Sequence, residues 1–341
     1  MHQLTPSHVT IVLLAGLLFG MSGCGRQNSA PQSTPPSADS AVSESSAAVT
    51  LALNWYAEAE HGGYVAARQL GYYEECGLDV EIRQGGPGAP NLVIQELAAG
   101  RLSFAISNAG LVVLARSKDV DVVAVAAPLQ QSPRCIMVHE SSGIENLQQL
   151  SNVQLAISDS RPFALWMKKQ LPLTNVTMIP YSGQVGEFVL NNDFAQQGYV
   201  FSEPFLAQEN GSDPKVLMLS DIGFNPYASL LVTTQQTISS NPDLVRKMVH
   251  AATKGWQAYL DAPDAVNAEI HAQNEDMSIA ALTFGAAAMK PLCQPPDGTP
   301  LCGMTLERWQ TLVQQIEALG EIEPGAVDAA ACFTTEFLPA D

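Results

Sequence analysis

The feature that most constrains the fold is an alternation of short apolar runs with segments of helical periodicity. "GGYVAARQLG" and "PNLVIQELAAG" have helical spacing and end at Gly71 and Gly100. Between such segments lie the strand-like runs "TLALNW", "LDVEIR", "LSFAIS", "VDVVAVAAP", "CIMVH", "VQLAI", "VTMIPY", "QQGYVFS" and "SLLVTT". This alternation predicts an α/β protein whose parallel strands are covered by helices on both faces.

The pattern changes to long helices after Asn241. "NPDLVRKMVHAATKGWQAYL" begins with an Asn cap and has Pro242 in its first turn. "TLERWQTLVQQIEALG" is a second helix that ends at Gly320.

Composition and charge exclude several classes of protein. The chain has 341 residues, of which 46% are hydrophobic and 15% charged, so it can bury a sizeable core and form two lobes or domains. Its formal net charge is −18, which repels a phosphate backbone and argues against nucleic acid or an anionic membrane surface as a partner. An anionic ligand would therefore need a binding site that is locally positive.

The N-terminal segment has the features of an export signal. The apolar run "VTIVLLAGLLFGM" is too short to span a bilayer comfortably and is followed by small residues and Cys24. "MSGC" resembles the lipobox of bacterial lipoproteins, in which the cysteine is lipidated, although no Lys or Arg precedes it and Met21 replaces the commoner Leu. The alternative is an ordinary secretory signal with a chance cysteine.

The next segment, residues 25–49, is rich in Ser, Pro and Ala and has no large apolar residue. Such a composition predicts a flexible tether between the anchor and a folded body.

The five remaining cysteines form no C-x-x-C pair and no Cys/His cluster with metal spacing, which argues against a metal site. Cys293 and Cys302 flank the turn-rich "QPPDGTPL", and in an oxidising envelope they would close a short loop as a disulfide. The alternative is that all five cysteines are small buried apolar residues.

Polar and aromatic residues follow four of the predicted strands. Open α/β sheets bind ligands beyond the carboxyl ends of their strands, so these residues predict one binding cleft. They are Asn54 and Trp55, then Ser107 and Asn108, then Ser158 to Phe163 with Ser160 among them, and finally Ser202 and Glu203.

The segment "LNWYAEAEHGGYVAARQLGYYEECGLDVEI" resembles the opening of periplasmic solute-binding proteins of the thiamine-pyrimidine, sulfonate and nitrate type. These proteins share a fold with thiamine pyrimidine synthase. The resemblance continues in "LAAGRLSFAIS", "GYVFSEPFLAQENG", "SDIGFNPYASLLVTT" and "NPDLVRKMVHAATKGWQAYLDAP", so it covers most of the chain from Thr50 onward.

The resemblance implies a two-lobed α/β fold of the Venus flytrap type II class, with two crossing strands near Cys135 to His139 and Ser229 to Thr233. The first lobe would comprise residues 50–135 and 231–341, and the second lobe residues 136–230.

The residues that the synthase uses for chemistry are missing. At the position of its cofactor-binding lysine this chain has Ser107, and at the position of its reactive histidine it has Leu111. The stretch that matches its cysteine-rich iron motif reads "GFNPYAS". We therefore expect a binding protein without a catalytic residue or cofactor, since a shared fold does not carry shared chemistry.

The candidate ligand contacts suit an amino-substituted aromatic ring. Trp55 or Tyr227 would stack on the ring, and Glu60 or Glu203 would accept hydrogen bonds from its N–H groups. Glu203 also has the alternative role of a helix N-terminal residue, and Arg161 with the glycines of "SGQVGE" keeps an anionic group possible. The full set is Asn54, Trp55, Glu60, His61, Ser107, Asn108, Ser160, Phe163, Gly183, Glu187, Glu203, Asn225 and Tyr227, with Glu58 as a further acid of the cleft.

The sequence thus predicts a monomeric, exported lipoprotein that delivers a thiamine pyrimidine precursor to the permease of an ABC importer. Its partners would be the small-molecule ligand, the permease and, through the lipid anchor alone, the membrane. The alternatives are a binder of another solute, such as a sulfonate, taurine, nitrate or riboflavin, and a degenerate pyrimidine-synthesis enzyme.

Overall fold

A computed structural model describes residues 46–295 and 298–339. The predicted signal segment, Cys24 and most of the predicted tether lie outside the described residues. The described part contains ten strands, β1 (Ala47–Ala52), β2 (Leu78–Arg83), β3 (Phe104–Ser107), β4 (Val122–Ala126), β5 (Arg134–His139), β6 (Gln154–Ala156), β7 (Thr177–Ile179), β8 (Phe194–Tyr199), β9 (Pro214–Met218) and β10 (Leu230–Thr234).

The same part of the chain contains twelve α-helices. They are α1 (Gly62–Gln69), α2 (Tyr72–Glu75), α3 (Ala89–Ala98), α4 (Ala109–Arg116), α5 (Pro162–Gln170), α6 (Gly186–Leu190), α7 (Glu203–Glu209), α8 (Gln235–Ser240), α9 (Pro242–Asp261), α10 (Asp264–Gln273), α11 (Ile279–Met289) and α12 (Leu306–Ala318). Within residues 46–295 and 298–339, no helix combines the length and the apolar character needed to cross a membrane.

The strands form two five-stranded sheets, in the orders β2-β1-β3-β10-β4 and β7-β6-β8-β5-β9. In the first sheet β1 pairs in parallel with β2 and β3, whereas β10 runs antiparallel between β3 and β4. In the second sheet β6 pairs in parallel with β7 and β8, whereas β5 runs antiparallel between β8 and β9. Both sheets are therefore mixed, and the two-lobed α/β architecture is confirmed. The lobe boundaries at residues 135/136 and 230/231 stay a prediction.

The first strand begins at Ala47, three residues before the predicted start of the first lobe. Ala47 and Ala48 give no local strand signal, but they pair with Leu78 and Asp79 across the sheet. Pairing with β2 makes these small residues part of the sheet. The predicted tether, which extends to residue 49, is therefore too long at its C-terminal end.

Strand β9 was not expected from the sequence. Its residues, "PKVLM", are only partly buried, because β9 lies at the edge of the second sheet and pairs with β5 alone. An edge strand lacks the strong alternation of apolar and polar residues from which strands are predicted.

Glycines allow helices α1 and α9 to pack closely against each other. A Cβ atom on Gly63 would lie 2.2 Å from the Trp256 ring, and one on Gly255 would lie 2.2 Å from the Gly63 carbonyl oxygen. Trp256 and Tyr259 are fully buried at this contact. Because α1 follows directly on the loop that begins at Asn54, the contact fixes the position of that loop.

The predicted disulfide is wrong in this structure, because Cys293 and Cys302 are both free thiols. Both side chains are buried in the hydrophobic core against the first sheet. Burial raises the pKa of the Cys302 thiol to about 12 and raises the pKa of Cys293 as well. The thiols act here as small apolar residues of the core.

Candidate functional site

The loop after β1 folds into a network of buried polar side chains. The backbone N–H of Glu58 donates to His61 Nδ1 (3.3 Å), and His61 Nε2 lies 3.0 Å from Asn54 Oδ1. Asn54 Nδ2 lies 3.5 Å from Glu60 Oε1. A short 3-10 helix, Ala59–His61, and the N-terminus of α1 hold these residues together.

His61 is neutral and its tautomer is set by its neighbours. Because Nδ1 accepts a hydrogen from the Glu58 backbone, Nε2 carries the ring hydrogen and donates it to Asn54. Complete burial lowers the pKa of His61 to about 3, since a charged imidazole would lose its hydration. The 3.5 Å approach of His61 Nε2 to Glu60 is therefore not an ion pair of a charged histidine at neutral pH.

Two carboxyl groups of this loop are nearly inaccessible to solvent. Glu58 is 8% exposed and Glu60 is 1% exposed. Burial raises the pKa of Glu58 well above its usual range, and the charges of Glu60 and Glu203 raise it further. Burial also raises the pKa of Glu60 to about 7, although Arg134 and the hydrogen bond from Asn54 oppose the shift. Buried carboxyl groups with raised pKa values in a cleft are typical of functional sites.

Arg134 is a cationic residue of this site that the sequence reading missed. It begins β5, and its Nη2 donates to the hydroxyl oxygen of Tyr199 at 2.8 Å. The centre of its guanidinium lies 4.0 Å from the centroid of the Tyr199 ring and 4.8 Å from that of Phe163. The only signal in the sequence was its place directly before the predicted crossing strand "CIMVH".

Both oxygens of the Glu203 carboxylate already have partners within the protein. The hydroxyl of Tyr181 donates to Oε1 at 2.6 Å, and the backbone N–H of Tyr199 donates to Oε2 at 2.7 Å. Glu203 is also the first residue of α7, as the helix-start alternative expected. The geometry gives Glu203 the role of positioning Tyr181 and Tyr199.

Other predicted ligand contacts are distributed over both halves of the fold. Trp55 is half-buried and makes an edge-to-face contact with Tyr56 at 5.7 Å between ring centroids. Ser160 lies with Ser158 and Tyr181 on a cavity of about 270 Å³ beside the second sheet. Ser107 is buried, and its hydroxyl has no hydrogen-bond partner among the described residues. Gly183 has a φ of +81°, and Glu187 is exposed on α6.

The remaining predicted contacts have structural partners of their own. Asn108 caps α4 by accepting a hydrogen bond from the Leu111 backbone at 3.0 Å. Asn225 accepts from the Ser132 backbone and from Arg308, and the Arg308 guanidinium lies 3.8 Å from the Tyr227 ring centroid. The structure therefore joins Asn225 and Tyr227 to Arg308, and shows no contact between them and the Glu58 loop.

Comparison with known proteins identifies the family. Residues 58–266 match the family described as NMT1/THI5 like. The chain belongs to this family. The NMT1/THI5-like match includes Glu58, Glu60, His61, Arg134 and Tyr199, so these residues of the candidate site lie inside the matched region.

Two curated proteins and one solved structure illustrate the NMT1/THI5-like relationships. The formylaminopyrimidine-binding protein of Halalkalibacterium halodurans is 25% identical over 82% of this chain and 87% of its own length. The riboflavin-binding protein RibY of Chloroflexus aurantiacus is 26% identical over 63% of each chain. The periplasmic aliphatic sulphonate binding protein SsuA of Escherichia coli superposes with a TM-score of 0.64 at 16% identity, covering 84% of this chain and 91% of its own. The chain thus has the fold of periplasmic binding proteins.

Proposed function

We propose that this protein binds a thiamine pyrimidine precursor, of the formylaminopyrimidine or hydroxymethylpyrimidine type, in the cleft between its two lobes. The ligand would then pass to the permease of an ABC importer. The observation that carries the proposal is the pair of buried carboxyl groups, Glu58 and Glu60, in the same loop as the half-buried Trp55. Carboxyl oxygens accept hydrogen bonds from ring amino groups, and an indole stacks on a flat heteroaromatic ring.

The Glu58 side chain supports this role because, among the described residues, no other side chain is hydrogen-bonded to its carboxyl group. Among the described residues, its backbone N–H and C=O both bond to His61, and its carboxyl group forms a capping box with the backbone N–H of His61, which uses only part of its acceptor capacity. A ligand that donates hydrogen bonds to the remaining acceptor sites of this nearly buried carboxyl group would gain binding free energy. The name of the H. halodurans relative supports the same ligand class.

A riboflavin binder is the second candidate function. It is favoured by the similarity to RibY, although that similarity covers only 63% of either chain. A flavin presents carbonyl and N–H groups on a flat ring system, so the same stacking and carboxyl groups would serve it.

We do not propose an enzyme. Ser107 has no amine with which to form a Schiff base, and it replaces the lysine that the resemblance places at this position. The protein would act by binding and release.

We also propose that it is an exported monomer, anchored through Cys24 on a tether.

Isothermal calorimetry on the full folded domain tests the ligand. The panel is formylaminopyrimidine, hydroxymethylpyrimidine, riboflavin, taurine and nitrate, and small-angle scattering measures whether ligand closes the lobes. Wild type should bind a pyrimidine most tightly. Glu58→Met should weaken that binding about tenfold to a hundredfold, because it removes both acceptor oxygens.

Glu209→Met is the matched control, since Glu209 is an exposed acid on α7. It should leave the affinity unchanged. Tightest binding of riboflavin would transfer the assignment to the second candidate, and tightest binding of taurine or nitrate would overturn both.

A further inference from the structure

The short helix α6 is attached to the second sheet through one residue. Among the five residues of α6, Phe188 is the only buried one, whereas Glu187 and Leu190 are exposed. A helix of this length is not stable by itself in water, so its position depends on contacts with the rest of the fold. The ring and the backbone of Phe188 both contact the same side chain, that of His139 at the end of β5.

The hydrogen bonds of His139 require a hydrogen on each ring nitrogen. Nε2 lies 2.8 Å from the carbonyl oxygen of Phe188, which can only accept, so Nε2 is a donor. Nδ1 lies 2.7 Å from Oδ1 of Asp213, whose Oδ2 accepts from the Ser141 backbone N–H at 3.1 Å. The hydrogen bond with His139 lowers the pKa of the half-exposed Asp213, so this carboxylate is ionised at neutral pH and accepts as well. The geometry therefore corresponds to a charged imidazolium that donates in both directions.

A neutral ring makes only one of these two hydrogen bonds. If its hydrogen stays on Nε2 for Phe188, the bare Nδ1 faces the Asp213 oxygen as a second acceptor. If its hydrogen moves to Nδ1, the bare Nε2 faces the Phe188 carbonyl. The Ser212 hydroxyl, 3.4 Å from Nδ1, is a longer substitute for the carboxylate contact. The imidazole is also stacked on the Phe188 ring, with 4.1 Å between centroids and 7° between planes, so it cannot turn away without losing this packing.

Other charged side chains lie on the elements next to the imidazole. They are Glu140 directly after β5, Glu187 on α6, Glu209 at the end of α7 and Lys215 on β9. In the part of the chain that the structure describes, none of the four forms a hydrogen bond or an ion pair with the imidazole, and Lys215 is paired with Glu145. Carboxylate and ammonium groups ordinarily keep their charges between pH 5.5 and pH 8.5, whereas an imidazole ordinarily loses its second hydrogen near about pH 6.5.

We propose that His139 and Asp213 form a pH-sensitive latch that holds α6 against the second sheet at mildly acidic pH and releases it as the pH rises. The charged pair stabilises the docked helix while the imidazolium is present, and this stabilisation is lost as the ring deprotonates. The segment before α6 contains Tyr181, whose hydroxyl donates to Glu203, so the latch acts next to the candidate site. The inference goes beyond the proposed function, because it concerns the protein without any ligand.

Hydrogen exchange of the full-length protein tests the latch. The amides of Val189 and Asn191 donate to the carbonyls of Val185 and Glu187 at 3.0 and 3.1 Å, so their protection reports whether α6 is formed. After correction for the intrinsic exchange rate, this protection should fall about tenfold between pH 5.5 and pH 8.5, the loss expected for a charge-assisted hydrogen bond. Imidazole nitrogen NMR should show both ring nitrogens of His139 protonated at pH 5.5.

Asp213→Asn removes the pH dependence while keeping a partner for the ring. The amide presents its oxygen to the charged ring or its N–H to the bare Nδ1 of the neutral ring, so protection should change little with pH. At pH 8.5 the variant should protect α6 better than wild type does. Both proteins contain Glu60 and His61, so the titration of these two residues does not affect the comparison.

Asp193→Asn is the matched control, because Asp193 is an exposed acid close to the end of α6. It should show the same fall in protection as wild type. Equal protection of α6 at both pH values in wild type, or a single protonated ring nitrogen at pH 5.5, would overturn the proposal. So would a folded Asp213→Asn variant, checked by its urea midpoint, whose protection falls with pH as much as that of wild type.

Discussion

Glu60 and His61 are adjacent, fully buried residues whose ionisation affects stability in opposite directions. The pKa of Glu60 is raised from 4.5 to about 7, so between these values the folded protein keeps a proton that the unfolded chain releases. Stability from this group is complete below pH 4.5 and is lost as the pH rises through 7. The pKa of His61 is lowered from 6.5 to about 3, so its effect is the reverse, and stability is lost as the pH falls through that range.

Comparison of wild type with Glu60→Gln isolates the first effect, because His61 is present in both proteins. The amide keeps an oxygen for the hydrogen bond from Asn54 and cannot ionise. We expect the free energy of unfolding of Glu60→Gln, relative to wild type, to rise by about 3 kcal/mol between pH 4.5 and pH 8.

Urea unfolding of the ligand-free protein across this range measures the difference. The control variant is Glu209→Gln, which changes an exposed carboxyl group and should show no such rise. A pH-independent difference for Glu60→Gln would mean that Glu60 does not titrate in this window.

At the residue scale, the sequence alone identified the loop residues Glu60 and His61 as candidate site residues, but it did not identify the positively charged Arg134. Glu60 and His61 were recognised because they follow a strand within one short stretch of chain. The Arg134 side chain is held by a hydrogen bond to Tyr199, which is 65 residues away along the chain. No local sequence pattern predicts that contact.

Among the secondary-structure elements, the packing of α1 on α9 has the clearest test. Gly63→Ala would place a Cβ atom 2.2 Å from the buried Trp256 ring, so the helices must separate. We expect a loss of about 1–3 kcal/mol in the free energy of unfolding, as for other overpacked cores. Because α1 continues from the site loop, the variant should also weaken ligand binding.

Gly186→Ala is the matched control, since nothing lies within 4 Å of the added Cβ atom at the start of α6. It should be neutral or slightly stabilising, because alanine favours the helix more than glycine does. Equal urea midpoints for the two variants would show that the close approach of α1 and α9 is not required.

At the scale of the whole molecule, two features bear on the proposed binding role: the net charge and the position of the proposed anchor in the chain. The net charge of −18 repels anions in general, whereas Arg134 places a positive charge at the start of β5, against Tyr199. The first described strand begins at Ala47, so an anchor at Cys24 would be separated from it by more than twenty residues of chain.

Cys24→Ala tests the proposed anchor. If Cys24 is lipidated, the variant should move from the membrane fraction to the soluble fraction, with unchanged affinity for the ligand, because Cys24 is distant in the chain from the proposed ligand contacts. Cys76→Ala is the control, since Cys76 is a half-buried thiol of the fold and should leave the fractionation unchanged. Retention of Cys24→Ala in membranes would contradict the lipobox interpretation.

The sequence by itself determined the α/β class, most of the strands and the Asn cap of the long helix, in which Asn241 accepts from the Leu244 backbone at 3.2 Å. These features depend on residues that are near each other in the chain, so periodicity and capping residues report them directly. Only the tertiary structure placed β9 at a sheet edge, occupied the oxygens of Glu203 and joined Arg134 to Tyr199. Each of these depends on contacts between distant segments, and such contacts leave no local pattern in the sequence.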